Sequence, residues 1–390
     1  MQALEGLKVL ELASFIAGPY CAMTLADQGA DVIKIERPGV GDENRTEPPF
    51  VNGESAPFML WNRNKKSVTM DLKDPAQKAR FLELVDEADV LIENYRTGAM
   101  DRLGFGYDEL SKRNPRLIYA SISGYGRSGE FATKGGFDLV LQGFTGLMAL
   151  TGPEDTGPHR MPIPVCDITA GMQLAIGVLT ALESRRKTGK GQWVEASLFE
   201  AGLSLQLYES AGVFATGEAP ERLGQRHRGV APYQIFATST DHITIGVAQQ
   251  NFWLKLLRLL GREDLNDDPR FANNAVRVAN TRELVPYLEA ELVKESAEHW
   301  LAALEAEGVP CGVIQTTDRA LAHPLAKERQ MVVPVSHPVA GEHQTLGVPI
   351  KLSATPGSVR HPAPLLGQHN GEMDTLWRKT RALADAGGAE

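Results

Sequence analysis

The sequence predicts an α/β protein: a Rossmann-like parallel sheet in a large domain, joined to a smaller α+β domain. Two observations carry the prediction. Up to about residue 125, short apolar strand patterns alternate with helix patterns, and strands separated by helices of that length need right-handed crossovers, hence a parallel sheet. After Gly217 the composition changes to a polar, Arg-rich stretch that leads into a hairpin pattern and then amphipathic helices.

The elements follow in order. Leu7 to Ala13 reads as a strand, Gly18 to Gln28 as a helix, and Asp31 to Glu36 and Ser67 to Leu72 as strands. Asp74-Pro75 places an N-cap before a proline at the first helical position and opens a helix to about Glu87. Val90 to Asn94, a helix from Tyr107 to Arg113, and Leu117 to Ser123 continue the alternation. The first strand–helix turn, Ser14 to Pro19, lacks the three glycines of a dinucleotide site, so neither nicotinamide nor flavin is expected. A glycine-rich apolar stretch (135–151) and a polar loop (152–160) precede a helix starting near Asp167. Met172, Ala175, Ile176, Leu179 and Leu182 share one face of it; Arg185, Arg186 and Lys187 fill its last turn before Gly189. Val194 to Thr216 reads as helical.

Pro220 to Val230 reads as a linker, Tyr233–Ala237 and Ile243–Val247 as a hairpin. Helices at Phe252–Leu260, Arg282–Val293 and Ala297–Glu307 and a strand at Cys311–Gln315 complete the small domain, and the tail from Met331 is extended. The expected boundaries are 1–216 for the large domain, completed by 331–390, with a linker at 217–230 and the small domain at 231–330.

Of 390 residues, 43% are hydrophobic and 23% charged, which is globular usage and removes disordered and fibrous classes. Forty basic against 49 acidic residues give a net charge of -9, which argues against broad binding of nucleic acid or an acidic membrane. A local basic pocket for one phosphorylated ligand is still allowed. Cys21, Cys166 and Cys311 lie far apart and the nine histidines are scattered, so neither disulfides nor a metal site is expected. The start of the chain lacks a signal-peptide pattern, and no unbroken apolar run reaches the ~18 residues of a membrane span. A cytoplasmic protein is the expectation.

Hydrolase, kinase and metalloenzyme motifs are missing from the sequence. What stands out is Asp167, a carboxylate at the start of an otherwise apolar helix, after Pro162-Ile163-Pro164-Val165-Cys166. Two readings fit it. As an N-cap it accepts a backbone N–H and stabilises the helix by about 1 kcal/mol. As a nucleophile it uses the positive helix end to favour the ionised form that attacks.

Several separated segments together resemble the family III CoA-transferases, which also contain the α-methylacyl-CoA racemases. They are Leu4 to Glu11, Ala17-Gly18-Pro19, Gly29 to Pro38, Asn62 to Ser67 and Glu93-Asn94-Tyr95. To these add Asp167 to Gly171, Ala181-Leu182, Arg185, Thr188 to Gln192, and Ser197 to Ala201. Each motif is weak alone; their order and spacing are specific. The resemblance implies that Asp167 attacks the donor thioester to give a mixed anhydride, and that CoA thiolate returns to form an aspartyl-CoA thioester. The acceptor carboxylate then takes over the CoA. It implies a second active-site carboxylate at Asp138 and CoA contacts at Ile16, Arg37, Met70, Lys73, Asn94, Tyr95 and Arg102. It implies an interlocked homodimer whose partners are acyl-CoA and a small carboxylic acid. Coenzyme A is then a substrate, and the chemistry calls for no metal. Arg45, with Arg226 and Arg228 as alternatives, is a candidate for the far carboxylate of a dicarboxylic acid such as succinate.

The sequence departs from two branches of the family. Racemases carry a proton-transferring His before the acidic residue; here Gly136-Phe137-Asp138 has phenylalanine, which carries no proton. Formyl-CoA transferases place Gln before Ala-Gly-Pro and a glycine run in the small domain. Here Ile16 and Gly246-Val247-Ala248-Gln249-Gln250 stand instead, which argues against oxalate or formate. An epimerase of 2-methylacyl-CoA, a CoA-ester-binding protein without turnover, and a dehydrogenase remain as alternatives.

Overall fold

The structure, a computed structural model, describes residues 1–372 and 375–377. It falls into two compact units. The first comprises Met1–Leu147, Arg160–Ala211 and the chain from His323; the second comprises Met148–His159 and Gly212–Ala322. Residues 148–159, expected in the large domain, group with the second unit, as do the linker residues 217–230; residues 323–330 group with the first. Expected large-domain residues 373–374 and 378–390 lie outside the described residues.

The first unit is built on six parallel strands: β1 (Lys8–Leu12), β2 (Asp31–Glu36), β3 (Lys65–Thr69), β4 (Val90–Glu93), β5 (Ile118–Ser123) and β6 (Trp193–Ser197), in the order β3-β2-β1-β4-β5-β6. Lys8 pairs with Asp31 on one side of β1, and Val9 with Val90 on the other. Successive strand residues face opposite sides, so β1 sends Val9 into one core and Leu10 into another. The Val9 side is covered by α1 (Ala17–Asp27) through Cys21 and Leu25. The Leu10 side is covered by α2 (Pro75–Glu87) through Phe81, Leu84 and Val85, and by α3 (Tyr107–Arg113) through Leu110. Asp74 caps α2 by accepting from the Gln77 N–H.

Helix α4 (Asp138–Phe144) precedes α5 (Val165–Thr188), the long helix of the Val9 side. Gly189, at φ 72°, ends α5 in the left-handed region. The bulky apolar stripe is largely exposed. Met172, Ile176 and Leu179 are exposed, while Cys166, Ala170, Leu174, Ala175, Val178 and Ala181 are buried. Small residues let α5 approach closely: a Cβ on Gly171 would lie 2.6 Å from the carbonyl oxygen of Ala17. By length and composition α5 could cross a membrane, with mean hydropathy 1.6, a candidate that counting unbroken apolar runs overlooks. Here it packs on α1, β5 and β6. The helix expected over 194–216 is corrected as well. Its first residues form β6, which pairs Val194 with Ala120; α6 (Leu198–Ser204) and α7 (Leu207–Thr216) follow. A short apolar strand cannot be told from a helix by pattern alone.

The second unit holds β7 (Tyr233–Ala237), β8 (His242–Gly246) and β9 (Cys311–Val313) in an antiparallel sheet with β8 central. Helices α8 (Gln250–Leu260), α9 (Thr281–Leu292) and α10 (Ala297–Ala306) share a core with it that includes Phe236, Ile245, Trp253, Leu288 and Trp300.

A cluster of buried charges joins β1, β2 and β3. Glu11 binds Lys34 through one carboxylate oxygen and Lys65 through the other, both at 2.8 Å. Lys34 also binds Asp42 at 2.8 Å. Burial pushes Lys65 down to about 8, with Lys34 adding to the shift and Glu11 opposing it. Removing one member of a buried ion pair leaves an uncompensated charge, at about 3–5 kcal/mol. Glu11→Ala, which leaves Lys65 without its carboxylate and Lys34 with Asp42 alone, is therefore expected to lower unfolding free energy by about that amount in urea titration. A loss below about 1 kcal/mol would show that the cluster is not holding these strands.

Candidate active site

In a sheet of this order, ligands bind at the carboxyl ends where neighbouring connections diverge, here between β1 and β4. A cavity of about 550 Å³ lies there, within the first unit. One wall is the turn from β1 into α1. Asn94, just past β4, accepts from the Ser14 N–H at 3.0 Å and donates to the Ser14 carbonyl at 2.7 Å. Gly18 is required at the start of α1, since a Cβ there would lie 2.3 Å from that of Ala13. Ile16 occupies the N-cap position without a side-chain cap and lines the cavity.

The second wall follows β4. The Tyr95 N–H donates to Glu93 at 2.9 Å, and Arg127 donates to the Tyr95 carbonyl while pairing with buried Glu93 at 2.6 Å. Burial raises Glu93 to about 7 even with Arg127 beside it. The Tyr95 phenol is raised as well, by burial first.

The two carboxylates meet at the third wall. Asp138 opens α4 and accepts from the backbone N–H of Cys166 at 2.8 Å and of Asp167 at 3.4 Å. It thus caps α5 from outside. Asp167 is the third residue of α5, Pro164 holds the N-cap position, and no hydrogen bond to the Asp167 carboxyl occurs among the described residues. The N-cap reading of Asp167 is therefore corrected: Asp138 satisfies the helix start. Buried Gln142, one turn along α4, fixes this arrangement. It donates to Asp138 at 2.6 Å and to the carbonyls of Met161 and Ile163, and accepts from the Met161 N–H.

Burial pushes Asp167 up to about 7, and the Asp138 carboxylate adds to the rise. Both effects act against the helix end, which favours the charge. A carboxyl titrating near neutrality, in a cavity, without a structural hydrogen bond, is suited to attack or to proton transfer. Cys166 beside it is not suited, because burial and the two aspartates push its thiol up to about 12.

The cavity brings together Ile16, Asn94, Tyr95, Asp138 and Asp167 of the sequence candidates. Arg37, Lys73 and Arg102 lie outside its lining, exposed beyond the carboxyl ends of β2, β3 and β4, with Arg37 paired to Glu43 at 3.1 Å. Met70 also lies outside the lining: it is 2% exposed, in the core with Leu10 and Phe81. So does Arg45. Its guanidinium makes two hydrogen bonds to buried Glu36, at 2.7 and 2.8 Å, stacks on Phe58 and binds the Pro364 carbonyl. Arg226 pairs with Glu154 and Arg228 donates to the Glu221 carbonyl, both within the second unit. Sequence reasoning missed Gln142 and the cavity cations Arg96, Lys134 and Arg160. The four-residue spacing from Asp138 marked Gln142 as a helical neighbour; the three cations carried no spacing signal, because they come from three separate loops. No group of three or more metal-ligand side chains occurs among the described residues.

A model of CoA-transferase family III matches residues 4–370. Succinyl-CoA:glutarate CoA-transferase of Mus musculus is 35% identical over 370 residues, covering 95% of this chain and 85% of its own. Acetyl-CoA:oxalate CoA-transferase of Acetobacter aceti is 38% identical over 371 residues, covering 95% of this chain and 94% of its own. Among solved structures, a CAIB/BAIF family protein from Brucella suis aligns with a TM-score of 0.86 at 36% identity, covering 96% of this chain and 99% of its own. With its parallel sheet and its paired aspartates at the carboxyl edge, the chain belongs to the family III CoA-transferases.

Proposed function

We propose that this CoA-transferase works through a covalent acyl group on Asp167 and passes CoA to a small dicarboxylic acid. The observation that carries the mechanism is Asp167 itself: a carboxyl in the cavity, unbonded, raised to about 7 by burial and by Asp138. Its oxygen adds to the thioester carbonyl and the C–S bond breaks, giving a mixed anhydride and CoA thiolate. The thiolate attacks the Asp167 carbonyl carbon, releases the donor acid and leaves an aspartyl-CoA thioester. The acceptor carboxylate attacks that thioester, forming a new anhydride from which the thiolate takes the acyl group. Each step exchanges one activated acyl bond for another, so group-transfer energy is retained. Asp138 holds the helix N–H groups in place while charge moves on Asp167.

The substrate class rests on the relatives named above and on the cavity cations. Neither Arg96 nor Arg160 pairs with a carboxylate among the described residues, and a guanidinium there can bind a far carboxylate through two hydrogen bonds. Succinyl-CoA is the proposed donor. The acetyl-CoA:oxalate CoA-transferase relative makes oxalate an acceptor to include, although Ile16 departs from the glutamine of formyl-CoA transferases. Arg37, Lys73 and Arg102 offer cations for the CoA phosphates. Phe137 disfavours an epimerase, which would exchange the substrate α-hydrogen in deuterium oxide.

Asp167→Ala is expected to abolish formation of new CoA esters, read by mass from succinyl-CoA with a panel of acids. Hydroxylamine added during turnover should label Asp167 in the unmodified enzyme. Normal turnover by the alanine variant would refute the mechanism.

Attack needs the carboxylate, so kcat/KM should fall about tenfold per pH unit below the Asp167 pKa near 7 and level off above it. Asp138→Asn keeps an oxygen acceptor for the Cys166 N–H and removes the charge that raises Asp167. The acid limb should move to lower pH, by less than the whole displacement because burial is the larger cause. An unmoved limb would mean that another group titrates.

The exposed apolar stripe of α5 and the exposed Leu207 and Phe214 of α7 support an interlocked homodimer. Two interlocked chains cannot separate while folded, so dissociation and unfolding should coincide across a denaturant series. A folded monomer in light scattering at low concentration would overturn this.

A further inference from the structure

The three residues that lead from β1 to the cavity are held by side chains from elsewhere in the first unit. Lys34 donates to the Ala13 carbonyl at 2.6 Å. Asn94 takes both backbone groups of Ser14. Asp42 accepts from the Phe15 N–H at 3.2 Å, and Asn44 donates to the Phe15 carbonyl at 2.8 Å. Phe15 is thereby fixed at φ 64°, a left-handed conformation that L side chains adopt rarely. Asp42 and Lys34 are themselves rigidly placed: both are buried, paired at 2.8 Å, and Lys34 is shared with Glu11. Burial pushes Asp42 up, but Lys34 and the backbone donors outweigh it and hold the carboxyl below its usual range.

Fold stability alone does not account for this aim. The turn presents the Phe15 ring to the edge of Phe137, with centroids 5.9 Å apart and planes at 85°. Both rings are exposed, at 38% and 64%, so neither is core. Both line the cavity with Asp167, and Phe137 directly precedes Asp138. We propose that Lys34, Asp42 and Asn44 are positioning residues that hold Phe15 against Phe137 as an apolar wall restricting water at Asp167.

The inference rests on the covalent reading of Asp167. Without the wall, water adds to the acyl carbonyl carbon of the mixed anhydride, the bond from that carbon to the Asp167 oxygen breaks, and free acid and the Asp167 carboxylate form. The CoA thiolate released earlier leaves unused, so the net reaction is acyl-CoA plus water to acid plus CoA. A wall that excludes water therefore sets the ratio of hydrolysis to transfer.

That ratio is the readout. Free CoA released from succinyl-CoA without acceptor is compared with new CoA ester formed when glutarate is present. Phe137→Ala removes an exposed ring, Asp42→Asn removes the charge that Lys34 holds while keeping size, and Asn44→Ala removes the bond to the Phe15 carbonyl. The ratio is expected to rise at least tenfold in Phe137→Ala and Asp42→Asn, and measurably in Asn44→Ala. An unchanged ratio in Phe137→Ala overturns the wall. An unchanged ratio in folded Asp42→Asn overturns the positioning role, and Asn44→Ala decides by the same criterion where circular dichroism shows Asp42→Asn unfolded. Asp167→Ala, run alongside, separates the two ideas: transfer retained there refutes the covalent reading, whereas loss of both reactions leaves the wall to be judged on the other variants.

Discussion

One carboxylate shared between two ammonium groups ties three neighbouring strands of the sheet together. Glu11 on β1 binds Lys34 on β2 and Lys65 on β3, so three adjacent strands are joined by side chains as well as by their ladders. The two lysines carry the effect outward. Lys65 donates to the Pro19 carbonyl in the first turn of α1, and Lys34 to the Ala13 carbonyl just before it. The start of α1, which forms one wall of the cavity, is therefore fixed from below by the same charges. A buried pair of this kind need not add net stability over apolar packing, since desolvation offsets much of the attraction. Its directional hydrogen bonds do what apolar packing cannot: they choose one geometry for a turn.

The opposite wall uses another device for the same end. Asp138 caps α5 from a different helix, and Gln142 ties that carboxylate to the segment entering α5. Helix α5 is thus spared a cap from its own sequence, and Asp167 in its first turn is left free of structural duty. Had Asp167 been the cap, its lone pairs would face the helix and not the cavity.

Much of this was legible in the sequence, and the losses have particular causes. The parallel sheet followed from strand–helix alternation, and Asp167 from an isolated carboxylate opening an apolar helix. The packed face of α5 was not legible from its large apolar residues, because close helix packing selects alanine and glycine, as at Ala170, Gly171 and Ala175. The partner of Arg45 was not legible, because a loop arginine looks free until the chain is folded. Glu36 lies nine residues earlier, inside a strand, and only the folded chain shows its side chain turned toward the loop. Asp138 and Gln142 act across a gap to residues 161–167, a pairing that no local pattern encodes.

The unit treats its acidic groups in two opposed ways. Glu36 and Asp42 are buried, a condition that by itself raises a carboxyl, yet Arg45 and Lys34 beside them hold both below the usual carboxylate range. Asp167 is also desolvated, but its charged neighbour is a second carboxylate and its pKa rises to about 7. The difference is the sign of the partner, not the degree of burial. Groups of the first kind are inert because their charge is already used. A group of the second kind keeps its basicity for whatever enters the cavity, and the adjacent apolar rings strengthen that by limiting competition from water. Pairing Glu36 and Asp42 with cations while setting a second carboxylate beside Asp167 is what separates scaffold from chemistry here.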